Sequence, residues 1–154
     1  GVQAEGSGYM VQAWENGEDV LTKPPIEAHT VADSISAGLP RDRIKAMAAV
    51  KETNGAYVCV TDGDLLAAIP VLARASGVFA EPAGATPDAG LAKAVERGLV
   101  DAEERLVVLN TGSGLKDIAS AMKSVEMAGT EPFRVAPNLD DVKRIIAQMV
   151  PAAG

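Results

Sequence analysis

RLVVLNTGSGLKD, residues 105–117, decides how the rest of the chain is read. Four apolar residues in a row, Leu106 to Leu109, show no alternation. That is how a strand buried on both faces looks in a parallel sheet. The run closes on a hydroxyl and two glycines, Thr111-Gly112-Ser113-Gly114. Lys116 and Asp117 then lead into a helical pattern from Leu115 to Met127. A buried strand feeding straight into a helix is the repeating unit of an α/β domain. The turn itself leaves two readings open. It is either an ordinary strand-to-helix connection or a strand end that delivers a hydroxyl to a bound group. Glycines before a helix N-terminus make an anion site, but the spacing matches neither a Walker loop nor a dinucleotide fingerprint.

Working outward, the same alternation recurs. Gly1 to Gly6 reads as the tail of a strand already under way, so the chain is expected to be a piece of something longer. A helix from Tyr9 to Asn16 follows, stopped by Gly17. Thr30 caps a short turn through Ile35 that Gly38 ends. Pro40 opens a helix that runs past Val50 to Asn54-Gly55. Ala56 to Thr61 reads as a buried strand, Asp62 as the N-cap of a helix from Asp64 to Ala75, and Gly77 as its stop. Val78 to Ala80 is expected to be a brief strand leading into the loop Glu81-Pro82-Ala83-Gly84-Ala85, with a helix from Asp88 to Arg97 beyond it. Arg105 to Asn110 is the strongest strand signal. Phe133 to Ala136 is expected as a last strand, and Asn138 as the cap of a final helix to Met149. The expected fold is α/β, a three-layer sandwich with a largely parallel sheet flanked by helices, in a single domain over residues 1–154. Ligands of such sheets sit beyond the carboxyl ends of the strands. Here those ends are Gly6-Ser7-Gly8, Glu81 to Ala85 and Thr111 to Gly114.

Composition narrows the function. The 154 residues are 47% hydrophobic but only 3% aromatic, so Ala, Val, Leu and Ile must build the core. The formal charge is -7, from 21 acids against 14 bases. With no basic cluster, nucleic acid and anionic membrane surfaces are not expected partners. No apolar stretch reaches the ~18 residues of a membrane span, and a soluble, cytoplasmic protein is expected. The lone Cys59 sits in the apolar run Tyr57 to Val60 as a small hydrophobe, and one His with one Cys cannot make a Cys/His zinc site.

Individual side chains offer little catalytic chemistry by themselves. Ser7, Ser34 and Ser113 have no adjacent base and no nucleophile-elbow pattern. His29 lies in a polar loop without triad partners. Glu103-Glu104 and Asp140-Asp141 fall at expected helix starts, where the helix dipole favours negative charge. No lysine, Lys116 included, lies in an apolar pocket that would lower its pKa for Schiff-base chemistry. Glu81 before a proline is either a buried carboxylate at a strand end or a turn residue.

The order and spacing of "GVQAEG", "TVADSISAGLP", "VFAEPAGA" and "LNTGSGLKD" resemble the C-terminal part of the threonine synthase family, from Gly1 to about Lys123. These are pyridoxal-phosphate enzymes of the fold-type II, tryptophan synthase β-like group. One departure is Ser113, where the family often has His. The resemblance implies a cofactor-binding set of Thr111, Gly112, Ser34 and Glu81. The hydroxyl at the position of Thr111 would hydrogen-bond the pyridine nitrogen of pyridoxal 5'-phosphate, and Gly112 would let the backbone turn close to the ring. Ser34 would lie against the ring, with Glu81 near its pyridine side. The implied reaction of the whole enzyme is O-phospho-L-homoserine plus water to L-threonine plus phosphate, with the cofactor as electron sink. The Schiff-base lysine of that family sits in a Ser-Phe-Lys motif of its N-terminal half. That motif does not occur here, so no catalytic residue is assigned and this chain alone is expected to be inactive. Its implied partners are the small-molecule substrate and the N-terminal half of the enzyme, and an exposed face would favour a homodimer. Two other readings stay open: a related fold-type II lyase, such as threonine dehydratase or diaminopropionate ammonia-lyase, and a non-catalytic α/β module that binds a small ligand or partner.

Overall fold

A computed structural model of the chain describes residues 1–131 and 133–149. Two parallel strands lie at its centre, β1 (Val2–Ala4) and β2 (Val58–Val60), in the register Val2 to Val58, Gln3 to Cys59 and Ala4 to Val60. Strand side chains alternate between faces, and each face has its own helical cover. On one side Tyr57 and Cys59 pack with α1 (Tyr9–Asn16) and α2 (Arg43–Glu52) around Tyr9, Met10 and Met47. On the other, Val2, Ala4 and Val60 pack with α3 (Asp62–Ser76) and α4 (Pro82–Glu96) through Leu65, Ala83 and Ala89. This is the α/β layering, helix on sheet on helix. Two further helices, α5 (Ile118–Met127) and α6 (Leu139–Met149), follow, and α5 packs on α3.

Local chemistry places these elements. The Gln3 side-chain oxygen accepts from the Met10 and Val11 amides at 2.7 and 3.1 Å, so β1 itself satisfies two orphan donors at the start of α1. Gly17 ends α1 at φ 65°, a conformation that only glycine adopts without strain. Asn138 caps α6 through the Asp141 amide at 2.9 Å, as its position predicts.

Four expectations need correction. Thr61, not Asp62, caps α3: its hydroxyl accepts from the Asp64 amide at 3.1 Å, while the Asp64 carboxylate accepts from the Thr61 amide at 2.9 Å. This reciprocal pair is a capping box built with the shorter acid. The stretch 81–85 is not a loop, because α4 begins at Pro82 and runs through Pro87. Proline at the first helical position loses no bond, and the small residues allow close packing: a Cβ on Gly90 would stand 2.3 Å from Val2. Residues 78–80 form no strand beyond a single antiparallel bridge, Ala80 to Ser113. Finally, residues 105–110 and 133–136 are in no ladder. Val107 is 89% exposed, and Leu109 and Phe133 are exposed as well. Apolar character makes a strand only where a partner backbone takes up the amides and carbonyls, and no described backbone lies alongside these runs.

Candidate functional site

The carboxyl ends of β1 and β2 are closed over by one loop, residues 29–38. At β1, the His29 amide donates to the Gly6 carbonyl at 2.7 Å, and a Cβ on Gly6 would stand 1.7 Å from the His29 oxygen. Only glycine permits that approach. Ser7, 1% exposed, donates its hydroxyl to the Ile35 carbonyl at 3.1 Å and accepts from the Ala37 amide at 2.9 Å. At β2, the Asp62 carboxylate accepts from the Thr30 hydroxyl and, at 3.1 Å, from the Val31 amide. Released from capping α3, Asp62 instead fastens this loop to the strand end. The result is the short 3-10 turn Asp33–Ile35, held against α4 and over the place where α/β sheets bind ligands.

The second wall comes from the stretch that opened the sequence reading. The Glu81 amide donates to the Gly112 carbonyl at 3.1 Å and the Gly114 amide to the Phe79 carbonyl at 2.9 Å, so residues 79–81 and 112–114 run side by side. A Cβ on Gly84 would meet the Gly112 carbonyl at 2.5 Å. The Thr-Gly-Ser-Gly turn is therefore pressed onto the N-terminus of α4. Asn110 secures it from the other side, donating to the Gly84 carbonyl at 2.9 Å.

Glu81 resolves toward the buried reading. It is 4% exposed, and its Oε1 accepts from Lys116 Nζ at 2.7 Å. A Cβ on Gly112 would stand 1.8 Å from that same oxygen. The glycine thus makes room for a carboxylate, and the lysine neutralises it. The hydrogen bond to Glu81 raises the Lys116 ammonium above its ordinary value, reinforced by the negative charges of Glu81 and Asp33 and opposed by partial desolvation.

Between these walls lies a cavity of about 700 Å³, mostly apolar, bordered by Ala4, Ile35, Ala83, Thr86 and Thr111. Thr111 lines it, and Glu81 lies against the next residue, Gly112. Ser34 is exposed on the 3-10 turn, its hydroxyl donating to Asp33 at 3.2 Å, one residue before the cavity-lining Ile35. Neither the Lys116–Glu81 pair nor the Asp62–Thr30 contact follows from the sequence pattern. The available signal for Lys116 was its place four residues after Gly112, one tight turn onward. His29 is exposed and contributes backbone only, and half-buried Cys59 has its thiol pKa raised by burial, consistent with a packing role.

Among the described residues no helix is long and apolar enough to cross a membrane. The family model described as "Pyridoxal-phosphate dependent enzyme" matches residues 1–112. The threonine synthase of Methanocaldococcus jannaschii is 35% identical over 150 residues, covering 97% of this chain and 36% of its own length. That of Methanosarcina acetivorans is 38% identical over 146 residues, covering 95% of this chain and 35% of its own. That of Mycobacterium leprae is 36% identical over 132 residues, covering 86% and 34%. The chain spans about a third of the length of these curated relatives. Since the family model runs from β1 through both site walls as far as Gly112, the chain belongs to the pyridoxal-phosphate dependent enzyme family.

Proposed function

We propose that these residues are one α/β domain of a threonine synthase, supplying the ring side of its pyridoxal-phosphate site. The whole enzyme would convert O-phospho-L-homoserine and water to L-threonine and phosphate. When bound, the cofactor supplies an electron-withdrawing ring, and this chain holds and tunes it. The observation that carries the reading is the state of Thr111. Among the described residues, the bonds of its turn are made by Asn110, Gly112, Ser113, Gly114 and Lys116, leaving the Thr111 hydroxyl at the cavity rim for a ligand.

The donor set fits a pyridine ring. The nearby carboxylate, Glu81, is committed to Lys116 and lies behind Gly112, so a ring nitrogen at Thr111 meets a neutral hydroxyl. A hydroxyl stabilises no pyridinium charge, whereas a carboxylate would. In this arrangement Thr111 would be the hydrogen-bonding contact, and Gly112, which leaves room for Glu81 behind it, would keep the turn seated beneath that contact. Glu81 would act through the turn it holds, Ser34, next to the cavity-lining Ile35, would lie towards the ring, and Ala4 and Ile35 would present apolar walls to it. Catalytic proton transfer and the Schiff-base lysine are assigned to the part of the enzyme outside these residues. With a charge of -7 and no basic cluster, the partners proposed are that remaining part and a small anionic substrate, not nucleic acid.

The test is Thr111→Val in an enzyme of the relatives' full length. Losing one hydrogen bond of about 1.4 kcal/mol should weaken cofactor affinity by about tenfold and lower turnover. Unchanged cofactor titration and kinetics would remove Thr111 from the site. Release of phosphate rather than ammonia distinguishes the synthase from a dehydratase.

A further inference from the structure

Thr111 is straddled by two attachments to the start of α4. On its carboxyl side the Gly112 carbonyl accepts from the Glu81 amide at 3.1 Å. On its amino side the Asn110 side chain reaches the same helix twice. Its Nδ2 donates to the Gly84 carbonyl at 2.9 Å and to Asp88 Oδ2 at 2.5 Å. Among the described residues, these two are the only hydrogen bonds made by the stretch 105–111. Gly84 is buried in the first turn of α4, and Asp88 is half-buried one turn further on.

The chemistry at Asn110 admits few substitutes. Both partners are acceptors, a carbonyl and a carboxylate, so the amide NH2 must face them and the amide oxygen must face away. An NH2 group has two protons and can serve both at once. A serine hydroxyl has one proton to give, and a carboxylate or a leucine has none. The bond to Asp88 is charge-assisted, which is the stronger kind. Leu109 and Thr111 border the cavity and Asn110 does not, so any effect of Asn110 on a ligand there passes through its neighbour. The peptide bond joining Asn110 to Thr111 is planar, and a β-branched side chain is stiff at χ1. Holding residues 110 and 112 therefore limits where the Thr111 hydroxyl can point.

We propose that Asn110 is a positioning residue. Its amide ties the amino side of Thr111 to Gly84 and Asp88 and so aims the Thr111 hydroxyl at the ligand in the cavity. This role presupposes the reading of Thr111 as the cofactor contact.

The test is a double-mutant cycle in an enzyme of the relatives' full length, read by fluorescence titration of the apoenzyme with pyridoxal 5'-phosphate. Asn110→Leu should weaken cofactor affinity by about three- to tenfold, no more than Thr111→Val does. In the Thr111→Val background the same change should shift affinity by less than about twofold, because the group it aims is gone. Asp88→Ala leaves the bond to Gly84 in place and should give a smaller loss with the same dependence on Thr111. Melts of the apoenzyme verify folding, and Asp88→Ala carries the cycle if Asn110→Leu does not fold. Unchanged affinity in the folded variant would overturn the proposal. Equal losses with and without the Thr111 hydroxyl would overturn it too, since a merely structural role adds independently. Unchanged affinity in Thr111→Val would overturn the reading of Thr111, and this role with it. A loss in Thr111→Val without coupling to Asn110 or Asp88 would overturn this role alone.

Discussion

At the scale of single residues, the contact between Glu81, Gly112 and Lys116 is where sequence and function meet. Gly112→Ala would set a methyl 1.8 Å from the Glu81 oxygen, and Lys116 holds that oxygen in place. The variant should lower the melting temperature and, in the full-length enzyme, displace Thr111 and weaken cofactor binding. Both losses should appear together, by thermal melts and cofactor titration. Lys116→Met leaves the buried carboxylate without its cation and should destabilise the fold at neutral pH. The pair also sets an alkaline limit. Because the Lys116 pKa is raised on folding, its contribution is fully present below the ordinary value of 10.5 and is lost as pH rises through the folded pKa. Melts of wild type and Lys116→Met should therefore converge above that pH.

At the scale of elements, the two helices nearest the sheet carry separate predictions. Thr61→Ala removes the α3 cap and should cost about 1 kcal/mol in a denaturant melt. The Asp64 pKa is lowered, first by the hydrogen bond from the Thr61 amide. The capping box is thus fully present above the ordinary carboxylate value of 3.8 and fades as pH falls through the folded pKa. Wild type and Thr61→Ala should accordingly approach each other in strong acid. Gly90→Ala decides between propensity and packing. In an exposed helix this change gains about 1 kcal/mol. Here the new Cβ would stand 2.3 Å from Val2, so α4 must move off β1. Overpacking costs about 1–3 kcal/mol, and the variant should melt lower than wild type. The start of α4 was the element hardest to read, because Pro82, Gly84 and Pro87 are turn residues by habit. Proline is harmless at the first helical position, and Gly84 is there for the backbone of Gly112.

For the whole molecule, charge and apolar surface pull against each other. A net charge of -7 at pH 7 keeps chains apart, but near the pI of about 4.7 that repulsion vanishes while Val107, Leu109 and Leu115 stay exposed. Light scattering against pH should rise to a maximum near 4.7. Added salt at pH 7 should raise scattering as well, by screening the same repulsion.

Much of the architecture was local and therefore legible in the chain. The bounds of α1, the stops at Gly17 and Gly77, the Asn138 cap and the buried character of Val58 and Val60 all follow from periodicity and capping chemistry within a few residues. The same holds for Thr111 and Gly112 closing the run at 105–110. What only the tertiary structure decided depends on partners far apart in sequence. Glu81 became a buried anion because Lys116 lies 35 residues on. Asp62 became a loop fastener because Thr30 lies 32 residues back. Residues 105–110 remained outside the sheet because a strand needs a neighbour's amides and carbonyls, which no apolar run can supply for itself.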